Sequence, residues 1–200
     1  MDSPPAITYF IGGIATDRRL YEYPMASYAQ KFIPLIDTAA PFNILANSMG
    51  GIMTMELIKH ITPRKVILVS SVKCRAEMPF RLKQLKYSRL HRLLPGRGFI
   101  AGVEYGSLFL KELRVRPGLR KTVVEMARNN SPAFLYWCVN AIVNWEGAAD
   151  YRQDIIHLHG TKDAMFPLKN IRNVVPVAGG THNMLLTRSA ELTALILQNL

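Results

Sequence analysis

The run Val66-Ile67-Leu68-Val69-Ser70 offers water no polar side chain until its last residue, and Ile155-Ile156-His157-Leu158 is nearly as apolar. A sheet with one wet face would alternate apolar and polar residues. Runs that are apolar on both parities suit strands covered on both faces, as in a parallel sheet between helices. Similar short runs, bounded by Gly, Pro or polar residues, recur along the chain. They predict strands at 7–11, 32–36, 42–46, 66–70, 154–159 and 173–177. Helical patterns are expected at about 18–30, 49–61 and 189–200, the second stopped by Pro63, which cannot continue the ladder. The alternation predicts an α/β fold built on a mostly parallel sheet of about six strands flanked by helices.

Residues 73–150 break this rhythm and read as helical. Leu82, Leu85, Leu90, Leu93 and Leu94 fall near helical spacing with basic residues on the other face, and Ser131-Pro132 makes a plausible helix start. The expected organisation is an α/β core from 1–72 and 151–200, with a helical insertion at 73–150. This segment also explains the charge. The 200 residues carry a net +11, and residues 73–128 alone hold 14 Lys or Arg against four Asp or Glu. The rest of the chain is nearly neutral. No aromatic and basic interleaving of the kind a base-stacking surface needs is present in the segment, so no nucleic-acid partner is expected. A solvated helix face is the simpler reading, with an anionic membrane surface as the alternative.

Cys74 and Cys138 cannot form a disulfide framework, and no basic and apolar leader opens the chain, so a reducing, cytoplasmic location is expected. The uncharged stretches are interrupted by Pro, Asn, Ser or Gly and read as core, not membrane spans.

The chemistry is concentrated where three predicted strands end. In Phe42-Asn43-Ile44-Leu45-Ala46-Asn47-Ser48-Met49-Gly50-Gly51 a strand passes directly into a helix, with Ser48 at the join. A sharp turn lifts a serine hydroxyl clear of a sheet only if the residues two before and two after are small, and here they are Ala46 and Gly50. The same turn sets the Met49 N–H at a helix start, where a developing oxyanion can be stabilised. After the fifth predicted strand comes Gly160-Thr161-Lys162-Asp163, and after the sixth comes Gly179-Gly180-Thr181-His182. Strands of a parallel sheet share one carboxyl edge, so Ser48, Asp163 and His182 can converge there. In that constellation His182 takes the proton from Ser48, and Asp163 orients the imidazole and stabilises its charged form. The second oxyanion donor is expected in the loop after the first strand, at the Ile14 N–H, or failing that at Gly13. No cofactor or metal is required.

These features together resemble the α/β-hydrolase superfamily, and in particular small bacterial hydrolases with a helical cap. The resemblance rests on the order Ser48, Asp163, His182, on Phe10-Ile11-Gly12-Gly13 with Asp17 and Arg19 following, and on the segments His159-Gly160-Thr161-Lys162-Asp163 and Gly179-Gly180-Thr181-His182. It implies a serine hydrolase acting on a small-molecule carboxylic ester or thioester through an acyl-enzyme, with 73–150 as the cap. A serine nucleophile argues against haloalkane or epoxide chemistry, which in this superfamily uses aspartate. Three features depart from the family pattern. Ala46 stands where the usual elbow has glycine, and no strand is expected before Ile7, so the family's N-terminal strands are missing. Only residues 38–41 separate the predicted strand at 32–36 from the next, too few for a parallel crossover. Either 32–36 lies outside the sheet, or it is displaced within it, or a crossover helix has been lost.

Other candidates are weaker. Ser48 is also a favoured helix-capping type, Asp163 a common turn residue, and His182 could be a turn histidine. His157 and His159 are expected to be packing residues, without the carboxylates or thiols of a metal site. His60 and His91 read as helix-surface residues, and Cys138 as packing. Gly96-Arg97-Gly98-Phe99-Ile100-Ala101 fits a dinucleotide-binding fingerprint but follows Pro95 and not a strand. Tyr136, Trp137 and Trp145 are expected to pack the helical insertion on the sheet. Two rival functions are a non-catalytic binding protein on the same fold and a membrane-surface lipase or acyltransferase. The oligomeric state is not legible in the sequence.

Overall fold

A computed structural model describes residues 6–12, 24–89, 98, 100–102, 116–147 and 154–200. These divide into two compact units, one holding the described residues of 1–13, 24–80 and 145–200 and the other those of 81–144.

The first unit is built on five strands, β1 (Ile7–Ile11), β2 (Phe42–Asn47), β3 (Lys65–Val69), β4 (Ile155–Gly160) and β5 (Val175–Val177). They lie side by side in chain order and every neighbouring pair is parallel. The runs apolar on both parities occupy the centre. Ile67, Leu68 and Val69 of β3 are sealed from water, paired with Leu45, Ala46 and Asn47 on one side. Ile67, Val69, Leu158 and Val177 form one core with Met184 and Leu192. The latter two come from α6 (Met184–Thr187) and α7 (Ser189–Asn199), helices that close the chain.

Helix α2 (Met49–Leu57) is buried along all nine residues, including Glu56. A helix that is apolar all round belongs in a core. Its one carboxylate is tolerated because Lys59 Nζ donates to Glu56 Oε2 at 2.6 Å and Trp145 Nε1 donates to Oε1 at 2.7 Å.

The segment at 32–36 is not a strand. Ile33–Leu35 forms a 3-10 turn with Pro34 inside it, and among the described residues the sheet has five strands against the expected six or so. Proline cannot donate to a ladder, so this run fails as a strand despite its apolar residues. The short 38–41 connection is then no obstacle. The connection from β1 to β2 spans residues 12–41 and contains α1 (Met25–Gln30), which packs on α2. The crossover lies upstream of where the sequence places it.

Three element ends also move. Ser70 and Asn173 have left-handed φ of 49°, so β3 stops at Val69 and β5 begins only at Val175. Helix α2 ends at Leu57, four residues before the expected limit, and residues 58–60 follow it as a turn in which the His60 and Ile61 N–H groups both donate to the Leu57 carbonyl. The expected helix at 18–30 is present from Met25, and 18–23 lies outside the described residues.

The second unit contains α3 (Phe80–Ser88, its first residue in the other unit), α4 (Pro117–Arg128) and α5 (Pro132–Asn144). The expected start of α5 is present. Pro132 occupies the first helical position and the Phe134 N–H donates to Ser131 Oγ at 3.2 Å. Phe134 and Trp137 stack within α5 at 5.7 Å between ring centroids. Leu90, His91, Leu93 and Leu94 fall outside the described residues, as do Gly96, Arg97 and Phe99.

Candidate active site

Ser48 joins β2 to α2 with φ 53° and ψ −121°, a conformation that costs a non-glycine residue about 1–3 kcal/mol and persists only where its surroundings hold it. Three hydrogen bonds do so. The Ser48 N–H donates to the Val69 carbonyl at 3.0 Å, while Ser71 Oγ and the Gly51 N–H donate to the Ser48 carbonyl at 2.7 and 3.0 Å. The end of β1 presses against the same turn. A Cβ on Gly50 would stand 2.2 Å from the Ile11 carbonyl oxygen, so glycine is the only residue that fits.

The other two strand ends bring their loops alongside each other. The Lys162 N–H donates to the Gly180 carbonyl at 2.8 Å, and a Cβ on Gly160 would meet that same oxygen at 2.3 Å. Glycine at 160 therefore lets the acid loop and the histidine loop touch. His182 Nδ1 lies 3.0 Å from Asp163 Oδ2, and Ser48 Oγ lies 2.9 Å from His182 Nε2. The structure thus brings together three residues that the sequence separates by up to 134 positions. An ionised carboxylate only accepts, so His182 carries its proton on Nδ1 and turns the Nε2 lone pair toward the serine hydroxyl.

Asp163 is buried, and its other oxygen accepts the N–H groups of Met165 and Phe166 at 2.8 Å each. Burial alone would raise its pKa. The hydrogen bond and charge of His182, the Phe166 N–H and the nearby His159 outweigh burial and hold the carboxyl below the usual range. The Met49 N–H stands at the start of α2, where helical N–H groups have no partner within the helix. Gly13 and Ile14 lie outside the described residues.

The sequence reading missed the residues behind this site. The Phe166 ring meets the His182 ring edge-on at 5.4 Å between centroids. His157 and His159 are buried as expected, but not as passive packing. They join Lys73 and Glu77 in a continuous polar network. Lys73 and Glu77 are four residues apart, and the alternating histidines sit on the most buried stretch of β4. That conjunction was the available signal. Burial, Lys73 and His159 push His157 down to about 2, against a weaker opposing pull from the Ser71 carbonyl. His159 is also lowered, burial outweighing the pull of the Phe166 carbonyl, Asp163 and Glu77. Cys138 is buried and its thiol pushed up, so it stays protonated. His60 lies in the exposed turn after α2, within 3.0 Å of Gln30 Nε2. Among the described residues no group of three or more His, Cys, Asp or Glu is placed to hold a metal, and no helix is long and apolar enough to cross a membrane.

No family model and no curated protein sequence matches the chain. Solved structures do. MenH from S. aureus superimposes with a TM-score of 0.76 at 13% identity, over 99% of this chain and 95% of its own. The fold is that of the α/β-hydrolases. A carboxylesterase structure from the thaumarchaeon Nitrososphaera gargenis gives a TM-score of 0.74 at 14% identity, covering 98% of this chain and 90% of the other. A thermophilic esterase from Thermogutta terrifontis gives 0.68 at 13% identity, covering 98% and 89%. At such identities the likeness carries the α/β-hydrolase fold and leaves the chemistry to the site.

Proposed function

We propose that this protein is a serine hydrolase that cleaves a small-molecule carboxylic ester or thioester through an acyl-enzyme. The observation that carries the reading is the pair of contacts in line, Ser48 Oγ to His182 Nε2 at 2.9 Å and His182 Nδ1 to Asp163 Oδ2 at 3.0 Å. A serine hydroxyl needs a base to become a nucleophile, and the base needs a fixed tautomer. His182 removes the Ser48 proton as Oγ attacks the substrate carbonyl, and Asp163 stabilises the imidazolium. The Met49 N–H and the α2 dipole receive the negative charge that develops on the carbonyl oxygen, with the Ile14 or Gly13 N–H as second donor. His182 then protonates the leaving alkoxide or thiolate. Water, activated by the same imidazole, releases the acid and restores Ser48. Residues 73–150 are read as the cap of this hydrolase. Two of the similar solved structures bear the name esterase or carboxylesterase, which favours the ester over other acyl substrates.

Intact-mass analysis after fluorophosphonate treatment tests the reading directly. One adduct on the wild type is expected, absent from Ser48→Ala and from His182→Ala. A folded wild type that takes no adduct would remove the activated serine and leave a binding protein on a hydrolase fold.

A further inference from the structure

Behind the acid loop runs a chain of polar groups that the proposed mechanism does not use. It begins at Lys73, which is 3% exposed. Its Nζ has three acceptors, Glu77 Oε1 at 3.2 Å, His157 Nδ1 at 3.1 Å and the Arg172 carbonyl, one for each N–H of an ammonium. Glu77 is itself fully engaged, with the backbone N–H groups of Lys73 and Arg172 donating to its two oxygens.

An ammonium only donates, so the His157 Nδ1 facing it carries a lone pair and the His157 proton sits on Nε2. That nitrogen lies 3.2 Å from His159 Nδ1, which must accept. The His159 proton is then on Nε2, donated to the Phe166 carbonyl at 2.8 Å and turned toward Asp163 Oδ2 at 3.5 Å. Phe166 passes the constraint on, since its N–H donates to Asp163 Oδ1. Both imidazoles are neutral in this arrangement, as their burial requires.

We propose that His159 is a positioning residue for the catalytic acid, and that Lys73, acting through His157, sets the His159 tautomer that lets it hold Asp163 and Phe166 in place. The inference rests on the serine-hydrolase reading above. A strand interior needs no histidines for packing, and four buried ionisable groups are costly against apolar residues of the same volume. Their chain ends on the acid and on the residue whose ring touches the base. A misplacement of about 1 Å in such a constellation can cost roughly a hundredfold in rate.

The test combines labelling kinetics with a measurement on the unaltered protein. His159→Met removes the N–H and His159→Gln retains a donor near the position of Nε2. Fluorophosphonate labelling of Ser48 is expected to slow by roughly a hundredfold in the Met variant and to keep most of its rate in the Gln variant. Labelling of the Met variant at the wild-type rate overturns the proposal and leaves the serine-hydrolase reading standing. A Gln variant as slow as the Met variant also overturns it, because the N–H would then be immaterial. A wild type that does not label removes both. Should His159→Met not fold, nitrogen-15 histidine spectra of the wild type decide. Protons on Nε2 of both His157 and His159 are expected. A proton on Nδ1 of either, as when His157 turns to the Ser71 carbonyl, breaks the chain and overturns the proposal.

Discussion

In the folded protein His157 and His159 are neutral, whereas in the unfolded chain each takes up a proton below about pH 6.5, the ordinary histidine value. The unfolded state therefore binds more protons than the native state in acid, and stability falls as pH drops below that value. His157, held down to about 2, contributes about 1.4 kcal/mol per pH unit once its unfolded form is fully charged, and His159 adds in the same direction. The groups facing the pair are Lys73, Glu77, Asp163 and His182. Asp163 also loses stability in acid but lower down. Its folded pKa is depressed, so its contribution is present above 3.8 and lost as pH falls through the lower folded value. Urea midpoints are expected to be level near pH 7–8 and to fall steeply between about pH 6 and 4.5, with His157→Gln losing about one proton's worth of the slope. A midpoint indifferent to pH in that window would mean that the buried rings are charged in the fold. Ser48 belongs to the same scale. Its left-handed backbone is held by three hydrogen bonds to its main-chain groups, so the position of its side chain is fixed through the peptide units as well as by the contact with His182.

At the scale of elements, the decisive contact is where the end of β1 meets the first turn of α2. Gly50→Ala places a methyl group 2.2 Å from the Ile11 carbonyl oxygen, which is backbone and cannot swing aside. Overpacking of this kind costs about 1–3 kcal/mol. Thermal unfolding should fall accordingly, and fluorophosphonate labelling should fall with it, because α2 can make room only by moving the Ser48 turn. A Gly50→Ala variant with wild-type stability and labelling would contradict the close approach. Elements of this type were legible in the sequence, to within a residue at their ends, wherever an apolar run was bounded by clear breakers, as in the runs read at 7–11, 42–46 and 66–70. The exception at 32–36 carried its own warning in Pro34. The ends of β3 and β5 were misplaced because Ser70 and Asn173 adopt left-handed backbone, which no composition rule assigns to serine and only weakly to asparagine. The three residues of the candidate site were legible because each follows a strand in a parallel sheet. The Lys73–Glu77–His157–His159 network was not. Its members come from two separated stretches of chain, and a search for apolar runs counts a strand histidine as packing.

For the molecule as a whole, the excess positive charge between residues 73 and 128 bears on what surface it meets. Helix α3 has no buried residue and presents Arg81, Lys83 and Lys86 among Phe80 and Tyr87, which are 71% and 76% exposed. A solvated face remains the simpler reading, and an anionic interface is the alternative that a cationic helix with exposed aromatic rings would serve. The alternative requires co-sedimentation with phosphatidylserine vesicles at low salt that vanishes at about 1 M, where the Debye length falls to roughly 3 Å. Failure to bind at low salt would return α3 to the role of a solvated face and leave a hydrolase of freely diffusing esters.

The chain order of the sheet has a kinetic consequence. Neighbours β3 and β4 are separated by the whole stretch from Ser70 to Asp154, and both Asp163 and His182 lie beyond it. The turn holding Ser48 lies between strands adjacent in the sheet and in sequence, whereas Asp163 and His182 arrive only when that long helical connection has closed. Long-range closure of this kind is slow relative to local pairing. On the mechanism proposed above, a nascent or refolding chain would carry Ser48 without its base until the last strands dock, so fluorophosphonate labelling in a refolding time course is expected to lag behind formation of the β1–β3 sheet.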